Sequence, residues 1–399
     1  MCRPRPEVEG EGERDTRRSA LRANVRDASR GGAHIAQVRV GGSTRRHGSG
    51  STITGLGDLT LSAELEMAAT PAEVWEGLTR PELTRRYYFG LAIDTDLRLG
   101  SEYAYRDSSG QAAQSGVVLE LEPPRRLSLT STFLFSPEFR EDPPNRITWE
   151  IEPVTESRSR VRLTVDGFAS ETATYGLFAK NGGVANELRA LGTVVDRDVI
   201  ARLARVEAVE SIAVKELTPD LLDDFLRFFD QDAFADNPGW SSCYCMEKHV
   251  AAGDWGRRTG ADNRRDQTAR IGTGTARGLL AYVDGRPVGW CNAGPRRSMI
   301  GLDHIPDLRT EDPERVGAIV CFVIASPYRG HGAARTLLES ACNSLAEQGF
   351  TVAEAYPSKQ GGSDALEYRG PLKMYLDAGF APFRDTPRWV VVRKDLAQV

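Results

Sequence analysis

No run of apolar residues in this 399-residue chain approaches the ~20 needed to cross a bilayer, and its first residues lack the apolar stretch of a secretory leader. A cytoplasmic location with no membrane partner is therefore expected. Cysteine is missing between Cys2 and Cys243, and the six in the chain are unevenly spread, which excludes a disulfide framework and implies reduced thiols. Histidine is missing from residues 56–205, and no catalytic constellation is visible there. Large apolar side chains are almost absent from residues 1–55, which cannot bury enough surface to offset the entropy of ordering, so disorder is expected. Those residues hold eleven Arg against six Asp or Glu, a net +5 that leaves −10 on the rest of a chain whose total is −5. The folded part therefore offers no broad basic surface for nucleic acid. The tail reads as a solvated extension or as a basic arm for polyanions.

What is present suits a soluble globular protein, with 40% hydrophobic and 27% charged residues on a chain too long for one core. Two folded units are expected, 56–205 and 211–399, linked near Val206–Glu210. In the first, Leu59, Leu61, Ala63, Leu65 and Met67 alternate with polar residues, the two-residue period of a half-buried strand. Thr70-Pro71-Ala72-Glu73 supplies an N-cap, a proline at the first helical position and a capping-box glutamate. Further strands are predicted at Val117–Leu121, Leu127–Phe133, Ile147–Ile151 and Val161–Val165. Val184, Leu188, Leu191, Val195, Val199 and Leu203 recur at helical spacing and predict one long closing helix.

This order of elements is that of a helix-grip fold. The segments Ala69–Trp75, Leu78–Leu83, Leu97–Gly100 and Glu122–Leu127 resemble the START-related SRPBCC superfamily, in the branch named for homology to a heat-shock-protein ATPase activator. The resemblance implies an antiparallel sheet gripping a long C-terminal helix around an apolar cavity, and hence a ligand-binding or scaffolding role. Many relatives open the last helix with tryptophan, where this chain has Asn181-Gly182-Gly183. Trp75, Tyr87, Tyr88, Phe89, Phe133, Phe135 and Trp149 either line such a cavity or fill the core.

In the second unit, Ile212 and Val214 suggest a strand, and Thr218-Pro219 a capped helix through Leu222, Phe225 and Phe229. Gly278–Val283 and Pro287–Asn292 flank Asp284-Gly285, a two-residue hairpin signal. Val316–Ser326 reads as a strand covered on both faces, followed by Arg329-Gly330-His331-Gly332-Ala333-Ala334 and a helix through Leu337, Leu338, Ala341 and Leu345 that Gly349 ends. A strand over Thr351–Tyr356, a helix over Pro371–Ala378 and a strand over Trp389–Arg393 complete the unit.

The glycine motif between a buried strand and a helix, followed by Tyr375-Leu376-Asp377-Ala378-Gly379-Phe380, resembles the GNAT N-acetyltransferase family. A mixed α/β sheet follows as the expected fold, giving an α+β two-domain protein. A helix N-terminus beside two glycines suits the diphosphate of an acyl-CoA, most simply acetyl-CoA as co-substrate. The resemblance implies cofactor contacts from Arg329, Gly330, His331, Gly332, Ala333, Ala334 and Arg335, and from the main chain of Phe322, Val323 and Ile324 to the pantetheine arm. It implies Tyr375 as the acid that protonates the departing sulfur. Glu354 stands where several relatives carry a general base, or else it faces solvent or pairs with an arginine. The segment from Ser358 to Gly370 reads as an insertion. Cys243, Cys245 and His249 lack the second ligand pair of a zinc site, so no metal is expected, and their segment is read as lining an acceptor pocket with Trp240, Tyr244, Trp255 and Trp290. The expected function is acyl transfer to an unidentified small-molecule or peptide amine. The alternatives are a non-catalytic CoA-binding sensor and an apolar-ligand-binding protein.

Overall fold

A computed structural model describes residues 57–168, 172–180, 182–359 and 368–397; the tail expectation for 1–55 lies outside them. The first domain comprises β1 (Gly57–Met67), α1 (Pro71–Thr79), α2 (Pro81–Tyr87), β2 (Ala92–Thr95), β3 (Glu102–Arg106), β4 (Ala112–Glu122), β5 (Arg126–Phe133), α3 (Pro137–Arg140), β6 (Asn145–Thr155), β7 (Arg158–Gly167), α4 (Ala173–Ala179), α5 (Gly183–Val195) and α6 (Arg197–Leu203). Its strands form one antiparallel seven-stranded sheet in the order β1-β7-β6-β5-β4-β3-β2. Thr70 and Glu73 make the predicted capping box on α1. Leu188 and Leu191 of α5 pack with Leu163 and Val165 in the core, and a Cβ on Gly77 of α1 would meet Val195 at 2.6 Å, so only glycine allows these helices so close.

The single long closing helix is corrected to two. Asp196 stands between α5 and α6 in extended conformation, its carboxylate accepting from the amides of Asp198 at 2.9 Å and Val199 at 3.2 Å. A side chain that caps a new helix competes with continuation of the old one.

The second domain comprises β8 (Ala213–Glu216), α7 (Leu222–Arg227), α8 (Ala252–Trp255), α9 (Gly260–Gly272), β9 (Leu279–Val283), β10 (Arg286–Pro295), β11 (Val316–Ile324), α10 (Ala333–Glu347), β12 (Val352–Ala355), α11 (Leu372–Asp377), β13 (Ala381–Asp385) and β14 (Val390–Asp395). The sheet order is β13-β14-β12-β11-β10-β9-β8, mixed because β11 and β12 run parallel. Asp284 and Gly285 both take positive φ, 49° and 75°, as the predicted hairpin turn requires. Thr218 makes no side-chain cap; a 3-10 turn over Pro219–Leu221 precedes α7 instead.

Pairing of β11 with β12 ends at Ile319↔Ala355, while β11 continues beside β10 to Ile324. That divergence opens one edge of β11, and the site lies along it. The two domains belong to one compact unit. The link between them is pinned by the Val206 amide, which donates to the Pro327 carbonyl at 3.0 Å.

Candidate functional site

Between β11 and α10 the chain turns through Gly330 and Gly332, with φ of 76° and 90°. Side chains disfavour this left-handed region, which explains the glycines. Gly332 is the N-cap of α10, and no side chain caps the first turn. The positive end of the helix dipole and its unpaired amides therefore stand at Gly332, Ala333 and Ala334, which line a cavity of about 670 Å³. A Cβ on Gly332 would meet nothing within 4 Å, so that position is demanding in torsion and open in space.

Of the predicted cofactor residues, Phe322, Val323, Ile324, Arg329, Gly330, Gly332, Ala333, Ala334 and Arg335 line this cavity. His331 is not among them: its Nε2 lies 3.0 Å from the Val206 carbonyl and 3.1 Å from Arg205 Nε. Its ring braces the interdomain link. Arg205, which sequence reasoning passed over, lines the cavity and donates to the Gly330 carbonyl at 3.1 Å. The Arg329 guanidinium grips Asp236 with both Nη atoms, and its Nε donates to the Ile324 carbonyl at 3.0 Å. Arg329 thus shapes the loop as much as it faces a ligand, whereas Arg335 is largely exposed and pairs with Glu339.

Main-chain groups along β11 alternate sides, and the amide of Ala325 bonds to Val288 of β10, so Phe322 and Ile324 present theirs to the open edge. Both are engaged by the chain itself. Phe322 N donates to the Tyr368 carbonyl at 2.5 Å, and Ile324 O receives Arg329. Val323 pairs toward β10, opposite Trp290, so its main chain is not offered to a ligand.

Tyr375 is fully buried against Phe380 and Phe322, and its hydroxyl donates to the Arg369 carbonyl at 2.5 Å. Burial holds this phenol well above its ordinary pKa, so it keeps its proton. Gly370, a lining residue, lies directly over it, its Cβ position 3.3 Å from the hydroxyl. The hydroxyl is therefore one residue's thickness from the cavity.

The structure does not bring Glu354 to the cavity. Its carboxylate is buried, bonded to Arg393 at 2.6 Å and to the Tyr356 hydroxyl at 2.6 Å, and it sits in register with Ala318, well before the open edge. A carboxylate so committed is a structural ion pair. The sole carboxylate among the described lining residues is Asp236.

None of residues 243–249 lines the cavity either. Tyr244 bonds Asp230 at 2.6 Å, Cys245 is buried, and burial pushes His249 down to about 4. Among the described residues no group of three or more His, Cys, Asp or Glu is arranged to hold a metal. Trp240 does line the cavity, packed near Tyr368, while Trp290 is a fully buried core residue and Trp255 on α8 does not reach the cavity.

A strand, a glycine turn and an uncapped helix beside a divergent strand pair define a fold of the acyltransferase type. Residues 240–361 match the acetyltransferase (GNAT) family, and residues 68–193 match the family described as activator of Hsp90 ATPase homolog 1-like protein. The chain is thus a fusion of an Hsp90-activator-like domain with a GNAT domain. No curated protein matches it. Among solved structures it is similar to CalU16 from Micromonospora echinospora (20% identity, 36% of this chain, 80% of that chain, TM-score 0.28). It is also similar to an HSP90 activator from Plasmodium falciparum (18%, 30% and 79%, 0.25) and to the Aha1 dimer from Colwellia psychrerythraea (17%, 35% and 96%, 0.29).

Proposed function

We propose that the second domain transfers an acyl group, in the simplest case acetyl, from acyl-CoA to an amine, while the first domain binds an apolar ligand. The observation that carries this reading is the cavity of about 670 Å³ at the uncapped start of α10, with Arg205 and Arg335 on its wall to meet the charge of a diphosphate. The amine nitrogen attacks the thioester carbonyl carbon, the carbon–sulfur bond breaks, and the thiolate takes a proton. Tyr375 supplies that proton, its hydroxyl exchanging the Arg369 carbonyl for the sulfur as the segment 368–370 shifts. With Asp236 committed to Arg329, the amine gives up its own proton to solvent, and solvent returns a proton to Tyr375.

A second reading, a CoA-binding sensor without turnover, is favoured by the Tyr375–Arg369 bond and by the Tyr368 carbonyl on Phe322 N. Release of free CoA thiol from acetyl-CoA with a panel of amines, measured beside acetyl-CoA affinity, separates the two. For Tyr375→Phe, turnover is expected to fall by roughly 10²-fold with affinity retained. Tight binding without turnover by the parent protein, over a broad panel, favours the sensor.

A further inference from the structure

The first domain contains a second cavity, of about 510 Å³, walled by Tyr87, Tyr88, Phe89, Phe133, Phe135 and Phe178. Glu187 of α5 lines it, and lines also a small inner void beside Trp149. Sequence reasoning missed this residue, although it stands on the apolar stripe of the helix, between Val184 and Leu188. Its Oε2 is buried without a hydrogen-bond partner. Such an atom carries an uncompensated desolvation cost unless something pairs with it.

The neighbouring polar groups leave that oxygen without a hydrogen-bond partner. Tyr88 lies beside Glu187 and favours its ionisation, but its hydroxyl proton is shared with Gln114 Oε1 at 2.5 Å, and the buried phenols of Tyr87 and Tyr105 stand near the carboxyl as well. The Gln114 amide is itself spent on Ser131 at 2.7 Å and Tyr103 at 3.4 Å. Arg189 donates to Asn186 at 2.8 Å, and Lys180 stands exposed at the rim. Burial accordingly raises the Glu187 carboxyl to about 7. A carboxylate with one unpaired oxygen, ringed by aromatic faces, suits one chemistry above others, because ring faces attract cations and a carboxylate receives an ammonium.

We infer that this cavity binds an apolar ligand bearing one protonated amine, with Glu187 receiving the ammonium and the aromatic wall covering the apolar body. The inference rests on the reading of the first domain as a ligand-binding one and adds the class of ligand. Binding an ammonium favours ionised Glu187, so near pH 7 the protein releases a proton as the amine enters.

Calorimetric titration of the full chain with 4-phenylbutylamine, 4-phenylbutan-1-ol and 4-phenylbutanoate tests it. The amine is expected to bind at least about tenfold more tightly than the alcohol, and the carboxylate more weakly than either. Amine heats at pH 7 should differ between buffers of different ionisation enthalpy, reporting the released proton. In Glu187→Gln the alcohol should bind as before and the amine preference should vanish. Equal binding of amine and alcohol by the parent protein, or a preference that survives Glu187→Gln, overturns the inference while leaving the ligand-binding reading intact. Binding of none of the three overturns both. If Glu187→Gln does not fold, the parent protein's preference and proton release decide alone.

Discussion

Replacing Gly332 by alanine and by glutamate separates two demands on this position. At φ 90° any side chain is strained, at a cost of about 1–2 kcal/mol. In a domain of this size that lowers the melting temperature by roughly 2–8 °C. Both variants bear this loss, and nothing lies within 4 Å of the Cβ position, so the first side-chain carbon adds no clash in either. They differ in what they do to an anion. Alanine leaves the amides of Ala333 and Ala334 available, whereas glutamate places a carboxylate where the diphosphate is proposed to lie. Ligand at a hundredfold excess over Kd stabilises the folded state by about 2.7 kcal/mol, or roughly 5–11 °C here. Thermal melts with and without acetyl-CoA should therefore show Gly332→Ala melting lower but keeping most of that rise, and Gly332→Glu losing it. A full acetyl-CoA rise in Gly332→Glu would refute the placement of the diphosphate at this helix start.

Arg393→Met should destabilise the protein by about 3–5 kcal/mol in urea unfolding, since it strands the buried Glu354 carboxylate, and Glu354→Gln added to it should recover much of the loss. The Glu187 carboxyl, raised to about 7 against an ordinary 4.5, binds a proton in the folded state that the unfolded chain has lost between these pH values. Its contribution is thus present below pH 4.5 and lost as pH rises through 7, so unfolding free energies of parent and Glu187→Gln should diverge by about 3 kcal/mol across that window, the variant gaining. Arg205→Ala should weaken acetyl-CoA binding several-fold at low salt, with the difference shrinking as salt rises, in affinity measurements at two ionic strengths. Saturating 4-phenylbutylamine should change acetyl-CoA affinity, and acetyl-CoA should change the amine's affinity by the same factor; equal affinities with and without the second ligand would refute coupling.

The sequence made legible those features whose cause is local. The capping box at Thr70, the Asp284-Gly285 hairpin and the glycine turn into α10 each follow from a few adjacent residues with one strong conformational preference. Strands β2 and β3 were not legible: Ala92–Thr95 is too short to show a period, and Glu102–Arg106 buries three consecutive residues, so alternation is lost. α9 escaped because Gly260–Gly272 is almost wholly polar and buries only Asn263, Gln267 and Ile271. At the site, Gly330, Gly332, Ala333 and Ala334 of the glycine turn line the cavity, while His331 between them turns to the interdomain link. What spacing could not give was which groups are already spoken for. Glu354 with Arg393, Arg329 with Asp236 and Tyr375 with Arg369 are partners from 39, 93 and 6 residues away, fixed by the tertiary fold.

The two cavities meet at one short segment. Asn237 lines both, Asp236 before it holds the Arg329 guanidinium at the glycine turn, and Gly239 after it lies against the Phe89 ring at the mouth of the first-domain cavity. Phe89 itself is held at a positive φ of 51°, a conformation that a phenylalanine keeps only when its surroundings impose it. A ligand that presses on Phe89 therefore presses on Gly239, and a change in Asn237 reaches Arg329 through a single residue. On the other side, Arg205 and His331 clamp the interdomain link to the same glycine turn that Arg329 ties to Asp236. Two sites that share a wall can be independent only if that wall has the same conformation in every liganded state, which the strain at Phe89 makes the less economical arrangement.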